Sequence, residues 1–423
     1  MIYTNPGLKK LILNMKFNYQ KIYNISKKIG DSFYVLDSNI FKNNYIKFLE
    51  EFSQLYDKSS IGYSYKTNYT PSFCNIVNEL GGYAEVVSEM EMDLALKLGV
   101  DHKRIIYNGP YKSYKSIEKS LLNKVILNID SFSEIKKIES ISEKYPNKKF
   151  TVGIRCNFNL FNFKMSRFGI SYVNGDLAKA IKILNTHSNI NIVGIHCHFP
   201  NRDLKSFEDR LDKMLEISSS LFGNKLNYID LGGGFFGNMS DSLKNQFNSN
   251  IPSFNDYATL IAKRFAKEFS SLDPSLRPEL ILEPGTALVA DTMRFVTKVI
   301  SIKRLDEYSI ATVAGSKFNI VPQADGIDLP FDIINKGEDS DRIQYKIAGY
   351  TCIESDYLCN NYRGLIEEDD FVIFQNVGSY SIVMKPPFIH PNVPIIEMES
   401  DSKFSIVKRQ EELDNVFQTF NFN

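Results

Sequence analysis

A lysine, a pair of imidazoles, a glycine triplet and a Glu-Pro-Gly turn each stand where an apolar run of this sequence stops. In Tyr63-Ser64-Tyr65-Lys66-Thr67-Asn68, the run Ile61 to Tyr65 suits a buried strand, and Thr67, Asn68 and Thr70 are cap-type residues ahead of a helical run from Pro71. Lys66 therefore sits at a strand's C-terminal end. A lysine there can form a Schiff base with a carbonyl when its surroundings favour the neutral amine. Leu231-Gly232-Gly233-Gly234 lets backbone N–H groups approach an anion closely, as a phosphate cradle does. Glu283, in Glu283-Pro284-Gly285-Thr286, can accept a hydrogen bond from a ring nitrogen and hold it protonated. His196-Cys197-His198 places two imidazoles on one strand face by period-two geometry. No acidic or cysteine partner lies at ligand spacing, so a histidine stacked on a planar cofactor is favoured over a metal ligand. Cys352, in Gly349-Tyr350-Thr351-Cys352-Ile353-Glu354-Ser355-Asp356, has acidic surroundings that suit a proton donor better than a nucleophile.

Positioning these groups requires a regular scaffold. Strand-like runs recur at Ile61 to Tyr65, Tyr83 to Val87, Arg104 to Tyr107, Lys124 to Ile129, Phe150 to Arg155, Ile192 to His198, Leu226 to Leu231 and Glu279 to Glu283. Helical signals lie between most of them. Ser131-Phe132-Ser133-Glu134 has capping-box form ahead of Ile135, Ile138 and Ile141, and Leu204, Phe207, Leu211 and Met214 share one helix face. Eight strands alternating with helices over about 225 residues predict an α/β chain built on a (β/α)8 barrel, with a doubly wound sheet as the competitor. Barrel chemistry gathers at the strands' C-terminal ends, which here carry Lys66, Ser88, Asn108, Asp130, Arg155, His196, His198, Asp230, the glycine triplet and Glu283. From about Asp291 the pattern turns β-rich: Met293 to Ile302, Tyr308 to Val313, Arg342 to Ile347, Phe371 to Phe374 and Ser381 to Met384, with helical signals returning at Gln410 to Gln418. The prolines between Lys385 and Pro394 predict a fixed loop. A mostly-β C-terminal domain over 291–423 is expected after a barrel over 31–290.

The chain has 423 residues, and Lys plus Arg and Asp plus Glu are both 50. Zero formal charge removes the electrostatic case for a nucleic-acid or anionic-membrane partner. Residues 1–20 lack the apolar core and cleavage site of a leader, and no run approaches the roughly 20 apolar residues of a membrane span, so a cytoplasmic protein is expected. Five cysteines without a Cys-x-x-Cys pair indicate neither a disulfide framework nor a zinc site.

A lysine, a phosphate cradle, a carboxylate for a ring nitrogen and a stacking imidazole together describe a site for pyridoxal 5'-phosphate. The chain also resembles the fold-type III pyridoxal-phosphate amino-acid decarboxylases, the group of diaminopimelate and ornithine decarboxylases, over residues 30 to 390. The resemblance rests on Tyr65-Lys66-Thr67-Asn68, Glu85-Val86-Val87-Ser88, Ser166-Arg167-Phe168-Gly169, His196-Cys197-His198, Gly232-Gly233-Gly234, Glu283-Pro284-Gly285, Cys352 with Asp356, and Gly378-Ser379-Tyr380. It implies that Lys66 holds the cofactor as an internal aldimine, that His198 stacks on its ring, and that Glu283 partners the pyridine nitrogen. Gly233, Gly234, Gly285 and Tyr380 resemble parts of the phosphate site, with Arg155, Asn201 and Thr286 among the cofactor contacts. Cys352 resembles a thiol that a second subunit contributes, implying a homodimer with shared active sites in which Cys352 reprotonates the α-carbon; Glu354 and Asp356 are the substrate-side acids. The family also implies that residues before about 30 join the β domain.

Three departures bear on substrate. Thr286 stands where the family usually has Arg, Ile353 replaces an acid after the cysteine, and Pro200-Asn201 replaces Gly-Ser. A hydroxyl cannot make the forked, charged contact of an Arg. The expected activity is thus decarboxylation of an altered or conjugated amino acid in a specialised biosynthetic pathway, rather than of plain diaminopimelate, lysine or ornithine. An amino-acid racemase would set an Arg against the ring nitrogen, where Glu283 stands. A degenerate binding homologue would not need Lys66, Glu283 and Cys352, and a Schiff-base aldolase would not need His198, the triplet and Glu283 together.

Overall fold

The computed structural model describes residues 17–161, 163–223, 225–247, 250–320, 327–336, 343–400 and 403–422. Two compact units emerge: one joins the chain up to Phe41, Asn238–Phe247 and the chain from Val289 onward, and the other joins Lys42–Gly237 and Asn248–Leu288.

The second unit is an eight-stranded parallel barrel. Its strands are β1 (Ser59–Ser64), β2 (Tyr83–Val86), β3 (Ile105–Tyr107), β4 (Ile126–Ile129), β5 (Phe150–Asn157), β6 (Ile190–His196), β7 (Tyr228–Asp230) and β8 (Glu279–Leu282). Each pairs with its neighbour in chain order, and β8 closes on β1 through Leu280↔Ser59, Ile281↔Ser60 and Leu282↔Ile61. Strands covered on both faces read as near-continuous apolar runs, which is why Ile105–Tyr107 is buried throughout. The barrel interior is partly polar. Tyr228, Ile106 and Ile281 form an apolar cluster, while the Tyr228 hydroxyl donates to Asn128 Oδ1 at 2.7 Å. A Cβ at Gly153 or Gly194 would lie 2.0 to 2.1 Å from Tyr228 atoms, so those strand glycines make room for its ring.

Several sequence-predicted boundaries move, each for a local reason. Lys124 does not open β4; it is the left-handed C-cap (φ 63°) of the helix Tyr114–Asn123. Strand β6 ends at His196, and His198 folds back so that its Nδ1 accepts from Gly233 N at 3.0 Å. The helix Phe132–Lys144 starts at Ser131 without a side-chain cap bond. Glu134 reaches instead to Asp130 N at 2.8 Å and to the buried Lys112 Nζ at 3.1 Å. A nearby amine outcompetes the local cap.

The other unit holds a nine-stranded sheet. Ser32–Leu36 pairs antiparallel with Met293–Arg304 and parallel with Ile395–Met398. The boundary expected near residue 31 therefore falls inside this unit. The helix Tyr19–Ile29 places Ile22 and Ile25 in a core with Phe33, Val35, Val296, Phe371, Ile373 and Ile396. Residues 1–16 lie outside the described residues, as does Arg342 of one expected strand. Ser381–Met384 is a turn, not a strand: Met384 N donates to Tyr380 O at 3.1 Å, which curls the segment before Pro386 and Pro387. Phe331–Ile334, Tyr357–Gly364 and Phe404–Lys408 are strands the sequence pattern did not single out. No described helix is long and apolar enough to cross a membrane.

Candidate active site

At the C-terminal ends of the barrel strands, the backbone gathers most of the residues singled out from sequence. Strand β1 stops at Ser64, and a 3₁₀ turn, Tyr65–Thr67, carries Lys66 to the mouth. Asn68 Oδ1 then accepts from Thr70 N at 3.0 Å and Thr70 Oγ1 at 2.6 Å, a side-chain turn that separates Lys66 from the helix Pro71–Glu79. Lys66 Nζ donates to Glu85 Oε2 at 2.6 Å, and Ser64 Oγ donates to the same oxygen at 2.7 Å. Asn108 Nδ2 links Glu85 Oε1 (3.0 Å) to Glu283 Oε1 (2.5 Å), and its own Oδ1 accepts from Asn128 Nδ2 at 2.8 Å. Neighbouring strand ends thereby connect the amine on β1 to the carboxylate after β8.

Glu283 is buried, and His196 Nε2 lies 3.3 Å from its other oxygen. Burial pushes this carboxyl upward, but His196, Lys66 and a bond from Asp230 outweigh it and hold Glu283 below the usual carboxylate range. Asp230 moves the other way, pushed well up by burial and by the Glu283 charge, so the pair keeps its proton on Asp230 and leaves Glu283 ionised. His196, Asp230 and Glu283 present ligand-type atoms all within 4.8 Å of one another, a cluster that sequence spacing did not reveal. His198 is held neutral, its pKa driven well below the ordinary range first by burial and then by Lys66 and Arg155. Its Nδ1 accepts from Gly233, which leaves Nε2 as the protonated nitrogen.

The glycine triplet packs against both loops. A Cβ at Gly232 (φ +68°) would lie 2.3 Å from Cys197 O, and one at Gly233 2.4 Å from Glu283 O. The N–H groups of Gly234 and Gly285 find no protein acceptor among the described residues. Arg155 pairs with Asp130 at 3.3 Å and lies over the Phe168 ring at 4.7 Å. Asp130 Oδ1 also accepts from Gly169 N at 3.1 Å, which ties β4 and β5 ends to the Ser166–Gly169 turn. Thr286 opens the short helix Thr286–Val289.

These features match a known family. Residues 42–290 fit the family described as "Pyridoxal-dependent decarboxylase, pyridoxal binding domain". The chain belongs to the pyridoxal-dependent decarboxylases. Among relatives, this decarboxylase is 26% identical over 384 residues to diaminopimelate decarboxylase of Archaeoglobus fulgidus, covering 87% of each chain. It is 25% identical over 406 residues to that of Methanocaldococcus jannaschii, covering 92% of this chain and 90% of the relative. The crystal structure of diaminopimelate decarboxylase from M. jannaschii has the same fold, with a TM-score of 0.82 at 24% identity over 95% of this chain and 94% of the other. Lysine/ornithine decarboxylase from Vibrio vulnificus, complexed with cadaverine, gives 0.70 at 16% identity over 90% and 98%. The protein is a pyridoxal-phosphate-dependent carboxy-lyase.

The barrel site fits this cofactor. It offers an amine, a buried ionised carboxylate, a neutral imidazole and a glycine cradle with N–H groups that have no protein acceptor among the described residues. Glu85 and Asn108 were not assigned roles from sequence, although Glu85 stands as a charged residue inside an apolar strand run.

Cys352, Glu354, Asp356 and Tyr380 belong to the β unit, where Cys352 and Glu354 are exposed. Asp356 is buried, and its carboxylate accepts from Ser316 Oγ (3.0 Å), Lys317 N (2.8 Å), Thr351 N (3.2 Å) and Thr351 Oγ1 (2.6 Å). These bonds anchor the loop that displays Cys352. Tyr380 adopts φ +65°, an uncommon value for a bulky residue, next to Gly378, where a Cβ would meet Val289 O at 1.8 Å.

Proposed function

We propose that this decarboxylase acts on an amino acid or amino-acid conjugate other than plain diaminopimelate, lysine or ornithine, in a specialised biosynthetic pathway. The observation that carries the chemistry is the hydrogen-bonded chain Lys66–Glu85–Asn108–Glu283 across the barrel mouth. Bound pyridoxal phosphate supplies the electron sink that lets an α-carboxylate depart as carbon dioxide. Lys66 would hold the cofactor, and Glu85, 2.6 Å from its Nζ, would take and return the amine's proton. Glu283, kept ionised by His196 and Asp230, holds the ring nitrogen protonated. His198, neutral and fixed by Gly233, offers its uncharged face to the ring.

Cys352 donates the proton to the α-carbon and reaches the site from a second copy of the chain, so the active unit is a homodimer. Arg155, Asn201, Gly233, Gly234, Gly285, Thr286 and Tyr380 complete the cofactor contacts. The substrate reading rests on Thr286 and Ile353. Neither can form a charged contact to a distal carboxylate or a distal amine, while Glu354 stays exposed beside Cys352.

Incubating the holoenzyme with L- and D-amino acids and their side-chain conjugates tests this reading. Carbon dioxide should appear without inversion of the unreacted substrate. Inversion without carbon dioxide would replace the decarboxylase reading by racemisation.

A further inference from the structure

Arg210, in the helix Leu204–Phe222, is fully buried and has no role in the chemistry above. Its Nη1 donates to Gly233 O at 2.7 Å, and its Nη2 donates to Phe199 O at 3.1 Å and to Asn201 O. The guanidinium lies 4.1 Å from the Phe207 ring centroid and 5.7 Å from that of Phe199. Among the described residues it has no ion-pair partner, and its buried Nε has no hydrogen-bond partner. Three carbonyl dipoles only partly offset a buried cation, which normally requires a counter-charge. The guanidinium itself lies beside the cradle: a Cβ at Gly234 would fall 3.0 Å from Asn201 O and 3.5 Å from Arg210 Nη2.

A trans peptide sets the C=O of one residue antiparallel to the N–H of the next, and the described chain has no cis peptide. Holding Gly233 O against Arg210 therefore turns Gly234 N–H away from the guanidinium. Holding Asn201 O does the same for the N–H of Arg202.

We propose that Arg210 is a positioning residue for the cofactor's phosphate: it orients the N–H groups of the two loops that form the cradle and supplies the buried positive charge that the phosphate dianion balances. It thereby provides a charge beside the cradle in a chain whose Glu-Pro-Gly turn continues with Thr286 rather than an arginine. The inference rests on pyridoxal phosphate as the cofactor and not on the substrate proposed above.

The test removes the cofactor from the full chain and titrates it back, with pyridoxal phosphate or with pyridoxal, which lacks the phosphate. The visible absorbance of the lysine-bound form reports both. Arg210→Lys keeps a charge but loses the fork, and Gly234→Ala puts a methyl group against Asn201 O. Each variant should lose roughly tenfold to hundredfold in affinity for pyridoxal phosphate while its affinity for pyridoxal stays near wild type. Unchanged affinity for pyridoxal phosphate, or an equal loss for both compounds, would overturn the assignment. If Arg210→Lys does not fold, Gly234→Ala decides on the same criterion. Wild type that bound neither compound would overturn the cofactor reading along with it.

Discussion

The 2.6 Å contact between Lys66 Nζ and Glu85 ties the reacting amine to a row of side chains that ends at Glu283. Because Glu283 is held ionised in a buried setting, Glu283→Gln should lower kcat roughly 100- to 1,000-fold, the scale seen when a preorganised charge is removed from a reacting centre. The variant should still take up cofactor, as visible absorbance would show. A second residue-level prediction concerns Glu91, whose pKa is raised from 4.5 to about 7, mainly by burial, against a bond from Val87 N. A carboxyl raised in the fold stabilises it while protonated and loses that contribution as pH rises from 4.5 through 7. Wild type should therefore lose about 3 kcal/mol across this window. Glu91→Gln should flatten the loss, as urea unfolding at several pH values would reveal. Lys66 and Glu283 could be read from sequence because each is a polar residue at the close of an apolar run. Asn108 and Glu85 stood out only as a strand end and part of a motif; their bonds to Lys66 and Glu283 could not be read, because barrel closure rather than sequence spacing brings these residues together.

At the scale of elements, the loop after β3 and the helix Phe132–Lys144 that follows β4 are joined by Lys112 and Glu134, both buried. Lys112 Nζ also donates to Gly109 O at 2.7 Å, and Glu134 fixes the backbone of Asp130, the partner of Arg155. Burial lowers the amine's pKa and raises the carboxyl's, so each depends on the other to stay charged. Lys112→Met should destabilise the protein by about 3–5 kcal/mol, since it strands a buried carboxylate, whereas Lys112→Met with Glu134→Leu should recover most of that loss. Denaturation midpoints check both. The sequence placed a capping box here because Ser131 and Glu134 have the right spacing. The helix was correctly anticipated, but the glutamate's partner was a lysine on a neighbouring loop. The same limit explains His198: period two continues the strand on paper, yet the imidazole leaves the ladder to meet Gly233.

For the whole molecule, alternation of strands and helices made the barrel legible, because each parallel strand is an apolar run closed by a helix cap. The β unit was less legible. Its short strands, such as Phe331–Ile334 and Phe404–Lys408, are only partly buried and carry no clean alternation, and Ser32–Leu36 finds its partners far along the chain. If the active sites are shared between subunits, Lys66→Ala and Cys352→Ala proteins, each inactive alone, should regain about a quarter of wild-type activity after mixed reassociation, since half the dimers would carry one intact site of two. No recovery in a reassociated mixture would place both residues in one chain's site. The central proposal is a decarboxylase whose Thr286 and Ile353 turn it from plain diaminopimelate, lysine and ornithine toward another amino acid or conjugate. The most direct measurement is carbon dioxide release from diaminopimelate by the holoenzyme, as kcat/KM beside its best conjugated amino acid. Diaminopimelate should be the far poorer substrate, and efficient release from it would contradict the account.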